Sequence, residues 1–197
     1  MTLIGMGAEA VLTRTAEGIL KSRPAKTYRH PKLDDELRRS RTRHEARLLE
    51  KAKTVGVQVP DVRTIDATTL LLSEIKGVAV KEVLDEDPII CHQVGRMLAK
   101  LHEAHIIHAD LTTSNMIYDK ETHRLTFIDF GLGYSSMREE DKAVDLHLFK
   151  QSLESKHHRV LAIAYRHFLK GYRDSKDAEK VIERLRKVEA RGRNKGS

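Results

Sequence analysis

One cysteine, Cys91, stands among 197 residues, so no internal disulfide framework can staple this chain, and so sparse a thiol content fits a reducing compartment. No apolar run approaches the roughly 20 residues that a membrane span needs. Residues 1–7 lack a basic stretch followed by a signal-length apolar core. Repeats and low-complexity tracts are missing too. These absences predict a soluble, cytoplasmic protein. A hydrophobic content of 40% lets its short apolar segments build a core of their own.

Acidic residues are also in deficit: 29 Asp and Glu face 36 Lys and Arg, for a net charge of +7. The excess is concentrated in two stretches. Residues 21–53 carry Lys21, Arg23, Lys26, Arg29, Arg38, Arg41, Arg43, Arg47 and Lys51, and the tail carries Arg184, Arg186, Lys187, Arg191, Arg193 and Lys195. Such runs are either solvated helix faces or surfaces for an acidic partner, and two of them favour RNA or another phosphate-rich partner.

Short strands and turns dominate the first part. Alternation at Val11-Leu12-Thr13-Arg14-Thr15 and Ile19-Leu20-Lys21 flanks Glu17-Gly18 as a hairpin turn, and further strands are expected near 62–65 and 69–73. Helical spacing runs through 33–53. Asp87 reads as an N-cap with Pro88 in the first turn of a helix whose apolar face is Ile90, Val94, Met97, Leu98 and Leu101. A strand pair at 116–118 and 125–128 precedes a helical remainder. The pattern predicts an α+β fold, strand-rich then helix-rich, joined near 73–77.

Chemistry is concentrated in His108-Ala109-Asp110-Leu111-Thr112-Thr113-Ser114-Asn115 and in Asp129-Phe130-Gly131, which begins nineteen residues after Asp110 and follows a strand. Phosphoryl transfer is mostly positioning and charge neutralisation, so a protein performing it must hold a metal against phosphates and orient an attacking oxygen. An Asp and an Asn five residues apart on one loop can divide those tasks, with a second Asp supplying hard anionic oxygen. Either motif alone is weak; the pair at this spacing is strong.

The pair resembles the catalytic and metal-binding loops of the eukaryotic-type protein kinase superfamily. That resemblance implies ATP and Mg2+ as cofactors, Asp110 as the catalytic residue that orients the acceptor, and Asn115 and Asp129 as metal ligands. It also implies a small bilobal fold: a mostly antiparallel N-terminal lobe with one long helix (residues 1–75), then a truncated helical C-terminal lobe with a basic tail (76–197). Lys21 stands where the phosphate-holding lysine belongs. Glu45 is its expected helix partner, with Glu50 as fallback and surface arginines as the rival explanation of Glu45. Gly5-Met6-Gly7-Ala8-Glu9-Ala10 fits a phosphate-covering loop, with Ala10 in place of the third glycine. Glu74, Ile75 and Lys76 fall at the hinge that reads adenine. His108 and Asp145 are expected to brace the catalytic loop. His102, His105 and His108 are evenly spaced but lack the further ligands of a metal site; the first two are expected at a helix end, where positive charge is favourable.

Departures from ordinary kinases narrow the resemblance. Thr112 replaces the lysine usual two positions after the catalytic Asp, Ala109 replaces the arginine that commonly pairs with a phosphorylated activation loop, and no APE motif follows Gly131. The chain is similar throughout to the small atypical kinases of the KEOPS (EKC) complex, the PRPK family. The similarity is carried by the GAEA loop, Lys21-Ser22-Arg23-Pro24-Ala25-Lys26-Thr27-Tyr28-Arg29-His30-Pro31, the HADLTTSN loop, Asp129-Phe130-Gly131-Leu132 with residues 140–146, and Arg191-Gly192-Arg193. It implies an atypical serine/threonine kinase and ATPase that partners the tRNA threonylcarbamoyltransferase and other KEOPS subunits in threonylcarbamoyladenosine formation. tRNA contact is expected through the basic helix and tail. Within that resemblance Ala109 replaces a frequent glycine, a change expected to cost little. Ser135 and Ser136 are autophosphorylation candidates. The rivals are a RIO-type kinase, a small-molecule phosphotransferase, and a nucleotide-clamped scaffold without essential turnover.

Overall fold

The computed structural model describes residues 1–7 and 9–193, with side chains through Ala190. Strands β1 (Thr2–Met6), β2 (Val11–Thr15), β3 (Gly18–Ser22), β4 (Val62–Asp66) and β5 (Thr69–Leu72) form one antiparallel sheet in the order β1-β2-β3-β5-β4. The hairpin turns at Glu17-Gly18, as the alternation predicts. Gly18 is required there: its φ is 138°, and a Cβ would lie 2.4 Å from the Leu72 carbonyl oxygen. The register sets Lys21 opposite Leu12 and Leu70, at the centre of the sheet.

Helix α1 (Pro31–Thr54) crosses between β3 and β4, with Pro31 in its first turn, where a missing N–H costs nothing. Most of its residues are charged, and beyond Asp34 near its start it buries Thr42, Glu45, Ala46, Leu48, Leu49 and Ala52, largely along one face. Several of the basic residues in 21–53 are committed internally. Arg29 and Arg41 pair with Glu9, Arg38 with Asp34 and Asp35, and Arg39 with Asp35. Arg43, Arg47 and Lys51 remain exposed, four residues apart, as one cationic stripe along the helix.

The second part holds α2 (Ile90–Glu103), α3 (Glu139–Lys156), α4 (Leu161–Tyr172) and α5 (Ala178–Arg193). Strands β6 (Val78–Ala79), β8 (Met116–Asp119) and β9 (Arg124–Phe127) form a small antiparallel sheet, and β7 (Ile106–Ile107) pairs with β10 (Tyr134–Ser135). The two-residue strands were illegible in sequence because no periodicity can be read from two positions. Helix α2 begins later than Asp87-Pro88 suggests. Residues 90–92 still close i→i+3 bonds to Asp87, Pro88 and Ile89, so the entry is a tight turn. Asp87 caps that turn, its Oδ1 accepting the Ile89 N–H at 3.2 Å, rather than capping the α-helix.

One continuous core runs from Leu48, Leu49 and Ala52 of α1 through Val94, Leu98 and Leu101 of α2 to Phe149, Phe168 and Leu185. Helices α2 and α4 touch backbone to backbone. A Cβ at Gly95 would lie 2.1 Å from the Phe168 carbonyl oxygen, and one at Gly171 would lie 2.1 Å from that of His92. Among the described residues, no helix is long and apolar enough to cross a membrane.

Candidate active site

Helix α3 holds the 108–115 loop at both ends. At the first end, the fully buried Asp145 accepts the backbone N–H of His108 and of Ala109, each at 2.7 Å. The two bonds tie the start of the loop to α3. His102, also fully buried, completes the support: Nε2–H donates to Asp145 Oδ2 at 3.2 Å, and Nδ1 accepts the Tyr172 hydroxyl at 2.7 Å. Burial pushes the His102 pKa down against the opposing pull of Asp145. His102 does lie in the last turn of α2, as expected, but the favoured positive charge is corrected: the ring is neutral and works as a spacer between Tyr172 and Asp145. His105 lies just beyond α2 with φ 60°, its carbonyl accepting the Ser136 N–H at 3.0 Å.

His108 ties the loop to the strand that leads to Asp129, its Nε2–H donating to the Ile128 carbonyl at 3.2 Å. Its Nδ1 is buried without a partner among the described residues. A bare acceptor nitrogen suits a neutral ring, and burial accordingly pushes the pKa down.

Ala109 takes φ 63°, the left-handed region. A methyl-bearing residue there costs about 1 kcal/mol, so alanine in place of glycine is not as cheap as the sequence suggests. Ala109→Gly is expected to raise the melting temperature by about 2 °C, net of the glycine's greater unfolded-state entropy. A thermal unfolding curve that shifts down instead would mean that the methyl's packing outweighs its strain.

The loop's far end is gripped by residues that sequence reasoning missed. The Thr113 N–H donates to Ser152 Oγ at 3.1 Å, and its hydroxyl lies 3.1 Å from His157 Nε2. His157 Nδ1 in turn meets Asp85 Oδ1 at 2.6 Å, and Lys156 Nζ meets Ser114 Oγ at 3.1 Å. These partners lie 39 to 72 residues apart in the chain, and no local pattern announces them.

Between the two grips, Asn115 Nδ2 donates to Asp110 Oδ2 at 2.8 Å and to the Asp110 carbonyl at 2.9 Å. Both bonds use Nδ2, and the amide oxygen of Asn115 takes part in neither. Lys21 Nζ bridges Glu45 Oε1 at 2.7 Å and Asp129 Oδ1 at 2.8 Å. Glu45 is only 1% exposed, and Glu50 is exposed on α1, so Glu45 is the partner the fold selects. Arg23, another residue the sequence reading did not single out, binds Glu45 Oε2 and donates to Thr42 Oγ1 at 3.3 Å.

Asp129 has φ 62°, and the Gly131 N–H also donates to its Oδ1, at 3.1 Å. Both of its bonds fall on Oδ1, which leaves Oδ2 for a cation. Burial raises the Asp129 pKa, but the Lys21 charge and hydrogen bond outweigh it and hold the carboxyl below its ordinary value. Among the described residues, no group of three or more His, Cys, Asp or Glu side chains is placed to hold a metal ion. A few hard oxygens from Asp129 and Asn115, completed by phosphate and water, fit the magnesium pattern better than a closed protein cage would.

Two adjoining cavities share Leu12, Lys21 and Asp129. One, about 460 Å3, is lined by Gly5, Met6, Gly7, Glu9, Arg23, Arg41 and Asp110. The other, about 370 Å3, is more apolar and is lined by Ile19, Leu72, Glu74, Ile75, Asn115 and Ile128. Gly5 lies in β1, and the Gly7 N–H closes the loop onto the Ala10 carbonyl at 2.9 Å. Ala8 lies outside the described residues, as do the side chains of Arg191 and Arg193 and the whole of Lys195. The Glu9 carboxylate meets Arg29 at 3.0 Å and Arg41 at 2.6 Å. Of the hinge candidates, Glu74 pairs with Arg14 at 2.8 Å, while Lys76 reaches Glu121 at 2.5 Å and does not line the cavity. Ser136 Oγ is engaged, donating to Asp141 Oδ2 at 2.6 Å, whereas Ser135 is exposed on β10.

Comparison with known proteins identifies the family. The RIO domain family model matches residues 15–146. The chain is 40% identical to the KEOPS complex subunit Bud32 of Pyrococcus abyssi, over 98% of this chain and 96% of that one. It is also 40% identical to a probable bifunctional tRNA threonylcarbamoyladenosine biosynthesis protein of Methanocaldococcus jannaschii, over 97% of this chain but 36% of the relative, so it spans about a third of that longer protein. Among solved structures, the Rio2 kinase of Chaetomium thermophilum, in a complex described as ADP/Mg2+-phosphoaspartate, has the same fold, with a TM-score of 0.64 at 16% identity over 100% of this chain and 72% of that one. The RIO-type reading and the KEOPS-kinase resemblance thus converge: the chain belongs to the RIO-domain family and, within it, to the Bud32 kinases.

Proposed function

We propose that this chain binds ATP with magnesium and transfers its terminal phosphoryl group, with serine/threonine kinase and ATPase activity, as the kinase subunit of a KEOPS assembly. The observation that carries the reading is the Lys21 ammonium held between Glu45 and Asp129. It joins the sheet to the metal loop at the junction of the two cavities. Adenine occupies the apolar cavity beside Leu72, Glu74 and Ile75, and the phosphates lie under the 5–10 loop. Magnesium would neutralise phosphate charge, held by Asp129 and Asn115. Asp110 orients the attacking oxygen and takes its proton. On this reading residues 1–75 and 76–197 act as two lobes hinged at 74–76.

Names of relatives across nearly the whole chain support the partners: the threonylcarbamoyltransferase, other KEOPS subunits and, through them, tRNA. The exposed Arg43, Arg47 and Lys51 stripe supports RNA contact along α1. Ser135 is the better-placed autophosphorylation site, because the Ser136 hydroxyl is already committed to Asp141.

The test is ADP release measured with and without the transferase subunit and tRNA, comparing the parent with Lys21→Met and Asp129→Asn. Arg23 continues to neutralise Glu45 when Lys21 is removed, so the first variant is expected to fold. Both variants are expected to lose turnover by on the order of 10²-fold or more. Parent-like turnover in both would end the phosphoryl-transfer reading and leave the nucleotide-clamped scaffold.

A further inference from the structure

Thr112 leaves a gap in the chemistry. Where ordinary protein kinases carry a lysine two positions after the catalytic Asp, this chain has an uncharged side chain, and Ala109 adds no charge either. Charge develops on the equatorial oxygens of that group during transfer, and an unneutralised site forfeits much of its rate. A further cation able to reach the terminal phosphate would fill that gap.

Among the described residues, three cations line the phosphate cavity: Lys21, Arg23 and Arg41. Lys21 is 5% exposed and is fixed to Glu45 and Asp129. Arg23 is 4% exposed and is fixed to Glu45 and Thr42. Moving either would break a buried ion pair with Glu45, at a desolvation cost that a half-exposed pair does not carry. Arg41 differs. It stands on α1 one turn before Glu45, its side chain is 33% exposed, and its guanidinium meets Glu9 at 2.6 Å. Glu9 belongs to the very loop expected to cover the phosphates, and it keeps a second cation, Arg29, at 3.0 Å. Arg29 and Arg41 hold the Glu9 carboxyl below its ordinary pKa, the Arg29 hydrogen bond foremost, against the opposing effect of burial. If Arg41 turns away, Glu9 remains paired.

We propose that Arg41 is a further catalytic residue: a guanidinium supplied in cis from α1 that leaves Glu9 and contacts the terminal phosphoryl group as it transfers. This rests on the phosphoryl-transfer reading above. In the step, the bond from the terminal phosphorus to the bridging oxygen breaks, with its electron pair going to the departing diphosphate. A bond forms from phosphorus to the attacking water or hydroxyl oxygen, and that oxygen's proton passes to Asp110. Arg41 makes and breaks no covalent bond; it neutralises charge on the oxygens in flight. Because that contact strengthens in the transition state, it acts on turnover more than on nucleotide binding.

The experiment measures ATP turnover and nucleotide affinity for Arg41→Ala, Arg41→Gln and Asp110→Asn side by side, with thermal melting as a folding control. Arg41→Gln keeps a hydrogen-bond donor toward Glu9 but no charge, so it separates catalysis from a mere latch and decides the matter if Arg41→Ala melts early. Both Arg41 variants are expected to lose about 10²-fold in kcat with nucleotide affinity changed by less than about threefold. Added guanidinium ion is expected to restore part of the Arg41→Ala loss. Near-parent turnover by Arg41→Gln while Asp110→Asn is inactive overturns the role of Arg41. Near-parent turnover by Asp110→Asn as well overturns the phosphoryl-transfer reading beneath it.

Discussion

Asp110→Asn is expected to lower ATP turnover by about 10³-fold while leaving nucleotide affinity nearly unchanged. The contrast follows from where Asp110 sits. Its side chain touches Asn115 through Oδ2, and its backbone carbonyl accepts a second bond from the same amide. An asparagine can rotate its own amide to present oxygen to Asn115, so the loop keeps its shape between the Asp145 and Ser152 grips. Nothing that holds adenine or the inner phosphates is altered: Lys21, Glu45, Asp129 and the apolar cavity keep their contacts. What disappears is an anionic oxygen able to orient the acceptor and take its proton. Calorimetric titration with ATP and magnesium, run beside a coupled ADP assay, separates the two quantities. Turnover within about tenfold of the parent would be too small a loss for a positioned base. If tRNA modification also survived in the assembled complex, the protein's contribution there would be structural.

Much of this site was legible because its motifs are local. His108, Asp110 and Asn115 share one loop, and Asp129 opens the next, so the sequence carries their spacing directly. Lys21 and Glu45 could be sought only after that match, since they are 24 residues apart and are joined by an ion pair. The supports were a different matter. Asp145 could be guessed from its place on a helix, but its third partner, His102, looked like one of three evenly spaced histidines at a helix end. Only the fold reveals that the ring is buried against Tyr172, 70 residues away. Arg23 and Arg41 were hidden for the opposite reason: among so many basic residues in 21–53, nothing local distinguishes a buried or cavity-lining arginine from a solvated one. The start of α2 was misplaced because Asp-Pro is a good opening for either a helix or a turn, and here the i→i+3 bonds make it a turn. The loop residue Ala109 hid its strain because φ is not written in a side chain.

A large effect on stability is expected from a position far from the chemistry, Gly171→Ala. A methyl there would lie 2.1 Å from the His92 carbonyl oxygen, 3.0 Å from its carbonyl carbon and 3.1 Å from the Arg96 nitrogen. All three are backbone atoms of α2, so no rotamer change can relieve the contact, and the helices must part. Forced overpacking of this kind costs about 3 kcal/mol, or roughly 6 to 12 °C in melting temperature for a domain of this size. Function should suffer as well, and by a definite route. Tyr172 follows Gly171 directly, and its hydroxyl orients His102, which supports the carboxylate that holds the catalytic loop. Displacing α4 therefore loosens Asp145. Tyr172→Phe serves as the control, because it removes the hydroxyl and leaves the α2–α4 contact in place. It is expected to cost about 1 to 3 kcal/mol through the unpaired His102 nitrogen, less than Gly171→Ala. Melting curves of the two variants that fall in the reverse order would mean that α2 and α4 can separate freely, and that the close approach of Gly95 and Gly171 is incidental to the fold.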